Sequence, residues 1–394
     1  MKDFIYLDNS ATTALSDAAK GKMCEMFDNF GNPSSLHAAG DSAARALREA
    51  RRAILSTLGI RAMSDEQERQ LVFTSSGTEA TSLALLGTAH AKKRREANRI
   101  ITTDSEHPSV ENALKILSDE GFEIVRLSTV GGVLSMEELD RALDRPVFMA
   151  SIMLVNNETG ALYDVKGAFE KIKRRYPEAI THCDAVQGYL KMRISPASLC
   201  ADLITISAHK IHGPKGVGAL YIAPHMLKER KISPFIVGGG QEHGMRSGTE
   251  NMLGIVAFGV AAEEGLKKMP VAVPHTSVLR DLLEKLIAEA DLGITVNKPN
   301  GARAPHILNI TLPNIKSQTM LNFLSAKGIY VSSGSACSSH SNRTSSTLLA
   351  FGLKESAADS ALRISFSEYN SEDDVRALVD ALCEGVATLV KIRR

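Results

Sequence analysis

The chain has 394 residues, more than a single hydrophobic core ordinarily organises, so two domains are expected. Apolar residues make up 44% and charged residues 23%, the balance of a soluble globular chain, and no apolar run reaches the roughly 18 residues of a membrane span. A net charge of +1 excludes a general electrostatic attraction to nucleic acid or to an anionic membrane surface.

Met1-Lys2-Asp3 carries no signal-peptide pattern and leads into a short strand at residues 4 to 7, with a polar loop from Asp8 to Thr13 at its end. From Ser34, the positions Ala39, Ala43, Leu47, Ala50, Ile54 and Leu58 recur every three or four residues, an amphipathic helix with serine caps before it and Gly59 closing it. His37 falls in its first turn, where a functional and a purely structural role are both open. A charged connector, Met63 to Gln70, precedes the strand Leu71-Val72-Phe73-Thr74. Ser75-Ser76-Gly77-Thr78-Glu79 then opens a helical run from Ala80 to about Arg95. A strand ending in hydroxyls and a glycine at a helix N-terminus is a ready anion cradle. The basic run Lys92 to Arg95 reads as cations on a helix C-terminus in water.

Next come the strand Ile100 to Thr102 and Glu106-His107-Pro108, with Pro108 placed to start a helix. A lone histidine is ordinarily just a polar residue at a helix edge. This one follows a strand, where ligands sit in open α/β sheets. The strand Ile124 to Leu127 precedes Ser135-Met136-Glu137-Glu138, a capping box. The apolar run Val147 to Val155 is the expected central strand, and it ends in Asn156-Asn157-Glu158. A helix to Tyr176, then strands Ile180 to Cys183, Leu203 to Ile206 and Gly218 to Ile222 complete an alternation that means βαβ units and a mainly parallel sheet.

Two residues at strand ends stand out. Lys210 follows Leu203 to Ile206, and Asp184 follows Ile180 to Cys183. A lysine held in a cleft loses charge through burial and becomes a nucleophile toward carbonyls. An electron-sink cofactor of the pyridoxal phosphate type needs such a lysine, a carboxylate against its ring nitrogen and a phosphate cradle. Lys210, Asp184 and the Ser75 to Glu79 turn supply the three.

The larger part is expected to end near residue 260, after the flexible loop Gly238-Gly239-Gly240 to Ser247-Gly248, which suits close backbone approach to a phosphate. Leu266 to Arg394 reads as helix, strand, helix, strand, loop, helix, with a closing stripe of Val375, Leu378, Val379, Leu382, Val386 and Leu389 that is core. Within the loop, Cys337 lies in a Ser- and Gly-rich stretch from Ser332 to Ser346 with little to bury, expected to be mobile at the surface. The five cysteines are scattered, odd in number and without CxxC spacing. They argue against a disulfide framework or cysteine-based zinc, and for a reducing cytoplasm. No metal site is expected. An exposed thiol in a polar loop is a liability unless its thiolate has a task.

These stretches resemble the cysteine desulfurases of the NifS/IscS type, in the class V aminotransferase group of fold type I pyridoxal phosphate enzymes. The resemblance rests on Leu7 to Thr13, Gly31 to His37, Thr74 to Glu79, Glu106-His107 and Val155 to Gly160. It continues through Asp184 to Gln187, Ser207 to Gly218, Gly238 to Glu242, Met245 to Thr249, Ser332 to Cys337 and Ala361 to Ser365. It implies a large domain of residues 15 to 260 with a seven-stranded, mainly parallel sheet. A smaller α+β domain would follow, made of residues 1 to 14 and 261 to 394 and carrying the cysteine loop. It further implies that Lys210 holds pyridoxal 5'-phosphate, that Asp184 pairs its ring nitrogen, and that Gln187 reaches its ring hydroxyl. Gly77, Thr78, Ser207, His209 and, across a homodimer, Thr249 would hold the phosphate. His107 would stack on the ring and move protons. Arg363 and Asn157 would clamp the carboxyl group of L-cysteine, with Asn9 and Ala11 near it, and Cys337 would take the sulfur as a persulfide for an iron–sulfur scaffold or another acceptor protein. Ser338 to Ser346 departs from the family's usual Leu-Glu-Pro sequel. A selenocysteine lyase or a class V aminotransferase would use the same cradle, and a catalytically silent scaffold is the reading from another class.

Overall fold

The computed structural model describes residues 4–91, 97–333 and 344–389. Its strands, in chain order, are β1 Ile5–Tyr6, β2 Leu71–Thr74, β3 Arg99–Thr103, β4 Glu123–Leu127, β5 Val147–Met153, β6 Ile180–Asp184 and β7 Leu203–Ser207. They continue with β8 Gly218–Ile222, β9 Thr295–Val296, β10 Ile307–Thr311, β11 Ile329–Tyr330, β12 Ser332–Ser333 and β13 Ala361–Ser365. Seven of them form one sheet in the order β2-β8-β7-β6-β5-β3-β4. Only β8 runs against its neighbours; β3 to β7 are mutually parallel, and β2, antiparallel to β8, therefore points the same way as β7. Burial explains the composition. Every residue of β2, β3, β6, β7 and β8 is buried, as expected of a sheet covered by helices on both faces, whereas the edge strand β4 is largely half-exposed. The centre of the sheet is β6, not the longer apolar run at β5. Length and hydrophobicity report burial, but strand order is set by crossover connections.

The helix Ala38–Thr57 forms where its periodicity predicts, but its N-cap is His37 and not a serine: Nδ1 accepts the Gly40 N–H at 3.3 Å. The helix Asp17–Asp28, capped by Ser16, has no counterpart in the sequence reading, because only Ala19 and Met26 of it are buried and its apolar pattern is weak. At the expected capping box, Ser135 accepts the Glu138 N–H, but the Glu138 carboxylate takes the Ser128 N–H at 2.7 Å instead of reaching back. The helical run after Gly77 widens to a π-helical turn over Leu83–Gly87, and its expected basic end, Lys92 to Arg95, lies outside the described residues.

Met252–Ala290 is one 39-residue helix that carries Pro270 and Pro274 in its interior, so position 260 falls within a helix and not in a linker. Its first half, from Ile255 to Ala262, joins the apolar cluster around the large sheet. Its second half, with Leu279, Leu283 and Ile287, joins a separate cluster with Leu7, Ile310, Leu324, Ile364 and Leu382. Gly259 lets it cross the helix Ala38–Thr57 closely, since a Cβ there would stand 2.7 Å from the Ala50 Cα. The second cluster lies against the antiparallel sheet β12-β13-β10-β9 and the closing helix Glu372–Thr388. In that helix Val375, Leu378, Val379, Leu382 and Val386 are buried as core. β1 pairs with β11 in parallel, which brings the N-terminal segment to the same region.

Candidate active site

The C-terminal ends of β2, β3, β5, β6 and β7 face a cavity of about 320 Å³. It is lined by Ala11, Gly77, Thr78, His107, Asn157, Asp184, Gln187, Ser207, His209, Lys210 and Arg363, all singled out from the sequence. Ser10, Ser76, Ser109, Met153, Val155 and Val186 line it as well.

Lys210 follows β7 in a 3₁₀ turn, half-buried, with Nζ donating to the backbone carbonyls of Ser10 and, at 2.7 Å, Ala11. The Ser10 carbonyl also accepts Gln187 Nε2 at 2.9 Å, so the N-terminal loop braces two site residues at once. Asp184 closes β6, and its Oδ1 accepts the Val186 N–H at 3.0 Å. Burial pushes its carboxyl up from the ordinary range, against the pull of His107, the Val186 N–H and Lys210. His107 is the N-cap of Pro108–Asp119: its Nδ1 accepts the Ser109 N–H at 3.1 Å and meets Ser109 Oγ at 2.8 Å. Burial holds His107 below the usual histidine range, so the ring is neutral at pH 7 and carries its proton on Nε2. His209, likewise neutral, is pushed down to about 4 by burial and then by Lys210, and meets Thr12 Oγ1 at 3.2 Å.

The anion cradle is built from β2 and the helix that begins at Gly77. Ser76 caps that helix by accepting the Glu79 N–H, while the first-turn amides of Gly77 and Thr78 have no intrahelical acceptor. A Cβ at Gly77 would stand 3.1 Å from a Val186 methyl and 3.5 Å from the Ser207 Cβ, so a side chain there would narrow the cradle. The hydroxyls of Ser207 and Ser10, both on the cavity wall, are buried and have no hydrogen-bond partner among the described residues. Buried hydroxyls are ordinarily paired, and these two fit a ligand rich in acceptor oxygens such as a phosphate ester. The residues present therefore fit pyridoxal 5'-phosphate.

Opposite the cradle, Arg363 on β13 is 3% exposed; Nη1 donates to the Asn157 carbonyl at 2.9 Å and Nη2 to Asp8 at 2.8 Å. Its Nε–H is buried without a partner among the described residues, a donor suited to a carboxylate. Asp8 was legible only as part of a motif, and nothing in the sequence pairs it with a residue 355 positions on.

Asn9 does not line this cavity: its amide donates to the Ser365 carbonyl at 2.9 Å and the Asn370 side chain at 3.2 Å, pinning the N-terminal segment to the smaller sheet. Thr249 is exposed in a neighbouring cleft with Ser75 and Arg246, and Arg246 bonds Glu79 at 2.8 Å. Cys337 and most of its loop lie outside the described residues. Among the described residues, no group of three or more His, Cys, Asp or Glu side chains could hold a metal ion, and no helix is long and apolar enough to cross a membrane.

Lysine, carboxylate, imidazole and phosphate cradle at the strand ends of a mainly parallel seven-stranded sheet define the class: a fold type I enzyme framework. The chain belongs to the aminotransferase class-V family, whose model matches residues 5–378. It is 37% identical over 387 residues to a cysteine desulfurase of Trichormus azollae, covering 98% of this chain and 93% of that one. It is 35% identical over 390 residues to the cysteine desulfurase NifS of Azotobacter vinelandii, covering 98% and 93%. A solved NifS-like protein superposes with a TM-score of 0.89 at 35% identity, over 98% of this chain and all of the other.

Proposed function

We propose that the chain is a pyridoxal 5'-phosphate-dependent cysteine desulfurase that converts L-cysteine to L-alanine. The sulfur passes to Cys337 as a persulfide, for iron–sulfur cluster assembly or another thiolation. The observation that carries this reading is the single cavity that gathers Lys210, Asp184, His107 and Arg363 around two unpartnered hydroxyls. The cofactor, when bound, supplies an electron sink that labilises the bonds at the substrate's α-carbon.

The chain's own residues do the rest. Arg363, oriented by Asp8 and the Asn157 carbonyl, binds the substrate carboxylate. Lys210, released from its carbonyl partners, takes the α-proton on Nζ. Asp184 would pair with the proton of the ring nitrogen, and His107, neutral and with Nδ1 occupied by Ser109, would present its Nε2–H to the bound cofactor. Gly77, Thr78, Ser207 and His209 would hold the phosphate, with Thr249 supplied across a homodimer. The Cys337 thiolate attacks the substrate sulfur: a sulfur–sulfur bond forms, the carbon–sulfur bond breaks, and its electron pair stays with the carbon that becomes alanine's methyl group. The two apolar clusters support a larger cofactor-binding part and a smaller part bearing Arg363, with the seam inside the helix Met252–Ala290. The chain acts in the cytoplasm, where the thiol starts reduced.

The test is alanine and sulfide release from L-cysteine with a thiol reductant, comparing wild type, Cys337→Ala and Lys210→Ala. Wild type is active, Cys337→Ala keeps its visible colour and loses sulfide release, and Lys210→Ala loses both. Full activity in Cys337→Ala would instead make the chain a lyase or a transaminase.

A further inference from the structure

We propose that Glu106 is a positioning residue that works as a neutral carboxylic acid, tying the ends of β3 and β5 together beside His107 and leaving the carboxylate charge to Asp184. The inference rests on the reading of Asp184 as the ring-nitrogen partner.

Glu106 is 5% exposed. Its Oε1 accepts both the Thr103 hydroxyl, at 2.8 Å, and the Met153 N–H, at 2.9 Å. Its Oε2 is buried and has no hydrogen-bond partner among the described residues. An ionised carboxylate spreads donors over both oxygens and takes a cation when buried. Glu106 has two donors on one oxygen, none on the other, and no ion pair among the described residues. A buried anionic oxygen with neither a donor nor a cation beside it costs more than an unpaired hydroxyl, so this arrangement favours the neutral acid.

The groups around it agree. Asp184 on β6 and Glu111 on the helix Pro108–Asp119 are the charges that act on it, and both oppose its ionisation. Cys183 on β6 and Tyr163 beyond β5 also face it, and burial keeps both in their neutral forms. His107, the next residue, is neutral as well. Burial first, and then the Asp184 charge, hold the Glu106 carboxyl well above the ordinary glutamate range. The charge of one carboxyl opposes ionisation of a neighbouring one, and Asp184 has the better claim: the Val186 N–H on Oδ1 and the Lys210 cation favour its charge.

The position gives the acid its task. Met153, which Glu106 holds, lies opposite Asp184 in the sheet, and the next residue, Leu154, donates its N–H to the Asp184 carbonyl at 2.9 Å. Glu106 therefore fixes the backbone that carries Asp184 while its own backbone leads directly into His107.

The experiment compares the holoenzymes of wild type, Glu106→Gln and Glu106→Leu in two readouts. One is the denaturation midpoint from about pH 5.5 to about pH 8; the other is the pH midpoint of the visible cofactor band. A carboxyl kept protonated in the folded state but free to ionise when unfolded loses stability as pH rises. Glu106→Gln, which ionises in neither state, gains on wild type by up to about tenfold in the unfolding constant per pH unit. Its cofactor band titrates as wild type does, because the amide oxygen accepts the same two bonds. Glu106→Leu removes both bonds and moves that midpoint. A Glu106→Gln enzyme that fails to fold, that gains nothing with rising pH, or whose band midpoint moves by about one unit or more would show an ionised Glu106 and overturn the proposal. A wild type without a visible band would sink the functional reading alone, since the denaturation series still reports on Glu106.

Discussion

Arg51 and Glu242 form a buried ion pair between the helix Ala38–Thr57 and the glycine-rich loop, with side chains 3% and 2% exposed. Both guanidinium nitrogens reach the carboxylate, at 2.7 and 2.8 Å. Glu242 also accepts the Phe73 N–H of β2 at 2.8 Å, and the guanidinium stands 4.8 Å from the Phe73 ring centroid and donates to the Leu71 carbonyl. Replacing Glu242 by Ala leaves the buried cation with the Leu71 carbonyl and the Phe73 ring but without its paired carboxylate, and strands the Phe73 N–H. Breaking a buried pair from one side costs about 3–5 kcal/mol, and the orphaned amide overlaps with that figure more than it adds to it. The expected loss is about 4 kcal/mol for Glu242→Ala, and a similar loss follows for Arg51→Met. The double variant removes both charges, so it falls below the sum of the two by about 2–3 kcal/mol. Equilibrium denaturation of all four proteins, followed by circular dichroism, measures the cycle. Losses that simply add, or a single-variant loss under about 1 kcal/mol, would refute the reasoning, because the pair would then be no more than a solvated surface contact.

Ser207→Ala removes a hydroxyl that has no partner. Stability of the cofactor-free protein is expected to hold within about 0.5 kcal/mol, while cofactor affinity falls about five- to tenfold by equilibrium dialysis. Equal affinity would take Ser207 out of the cradle. Arg363→Lys keeps the charge but loses the planar fork held by Asp8 and Asn157, so KM for cysteine rises about 10- to 100-fold in steady-state assays, and an unchanged KM would dismiss it as the clamp. Glu158, 7% exposed and bonded by Ser345 Oγ at 2.7 Å, is pushed by burial from 4.5 up to about 7. Its raised value in the fold means that stability is full below about pH 4.5 and falls as pH rises toward 7, by about 3 kcal/mol in all. Glu158→Gln should make that slope shallower in urea midpoints measured across the window by removing the Glu158 share, and an identical slope in the variant would refute the assignment.

Much of this site is local chemistry, which is why a linear reading reaches it. Lys210, Asp184, His107 and the Gly77 turn each sit at the end of a strand whose apolar run is visible in the sequence, and the parallel sheet aligns such ends by construction. Asp8, Glu242 and Ser10 escaped because their roles are long-range. Asp8 meets Arg363 across 355 positions, Glu242 meets Arg51 across 191, and Ser10 acts through a backbone carbonyl that any residue could provide. Asn9 shows the converse: its place in the motif suggested the substrate, whereas packing turned its amide toward Ser365 and Asn370.

The amino-acid sequence by itself determined most of the elements, the parallel alternation and the identity of the groups at the strand ends. Hydrophobic period, caps and turn residues act over a few positions and need no partner. Tertiary structure alone decided that β6 is the central strand and that the chain passes residue 260 inside one long helix. It also decided which buried polar atoms are satisfied. Burial and pairing depend on what the rest of the chain brings alongside. Glu106 and Asp184 are both carboxyls at strand ends, and only the charges and polar groups folded around each one separate the neutral acid from the charge.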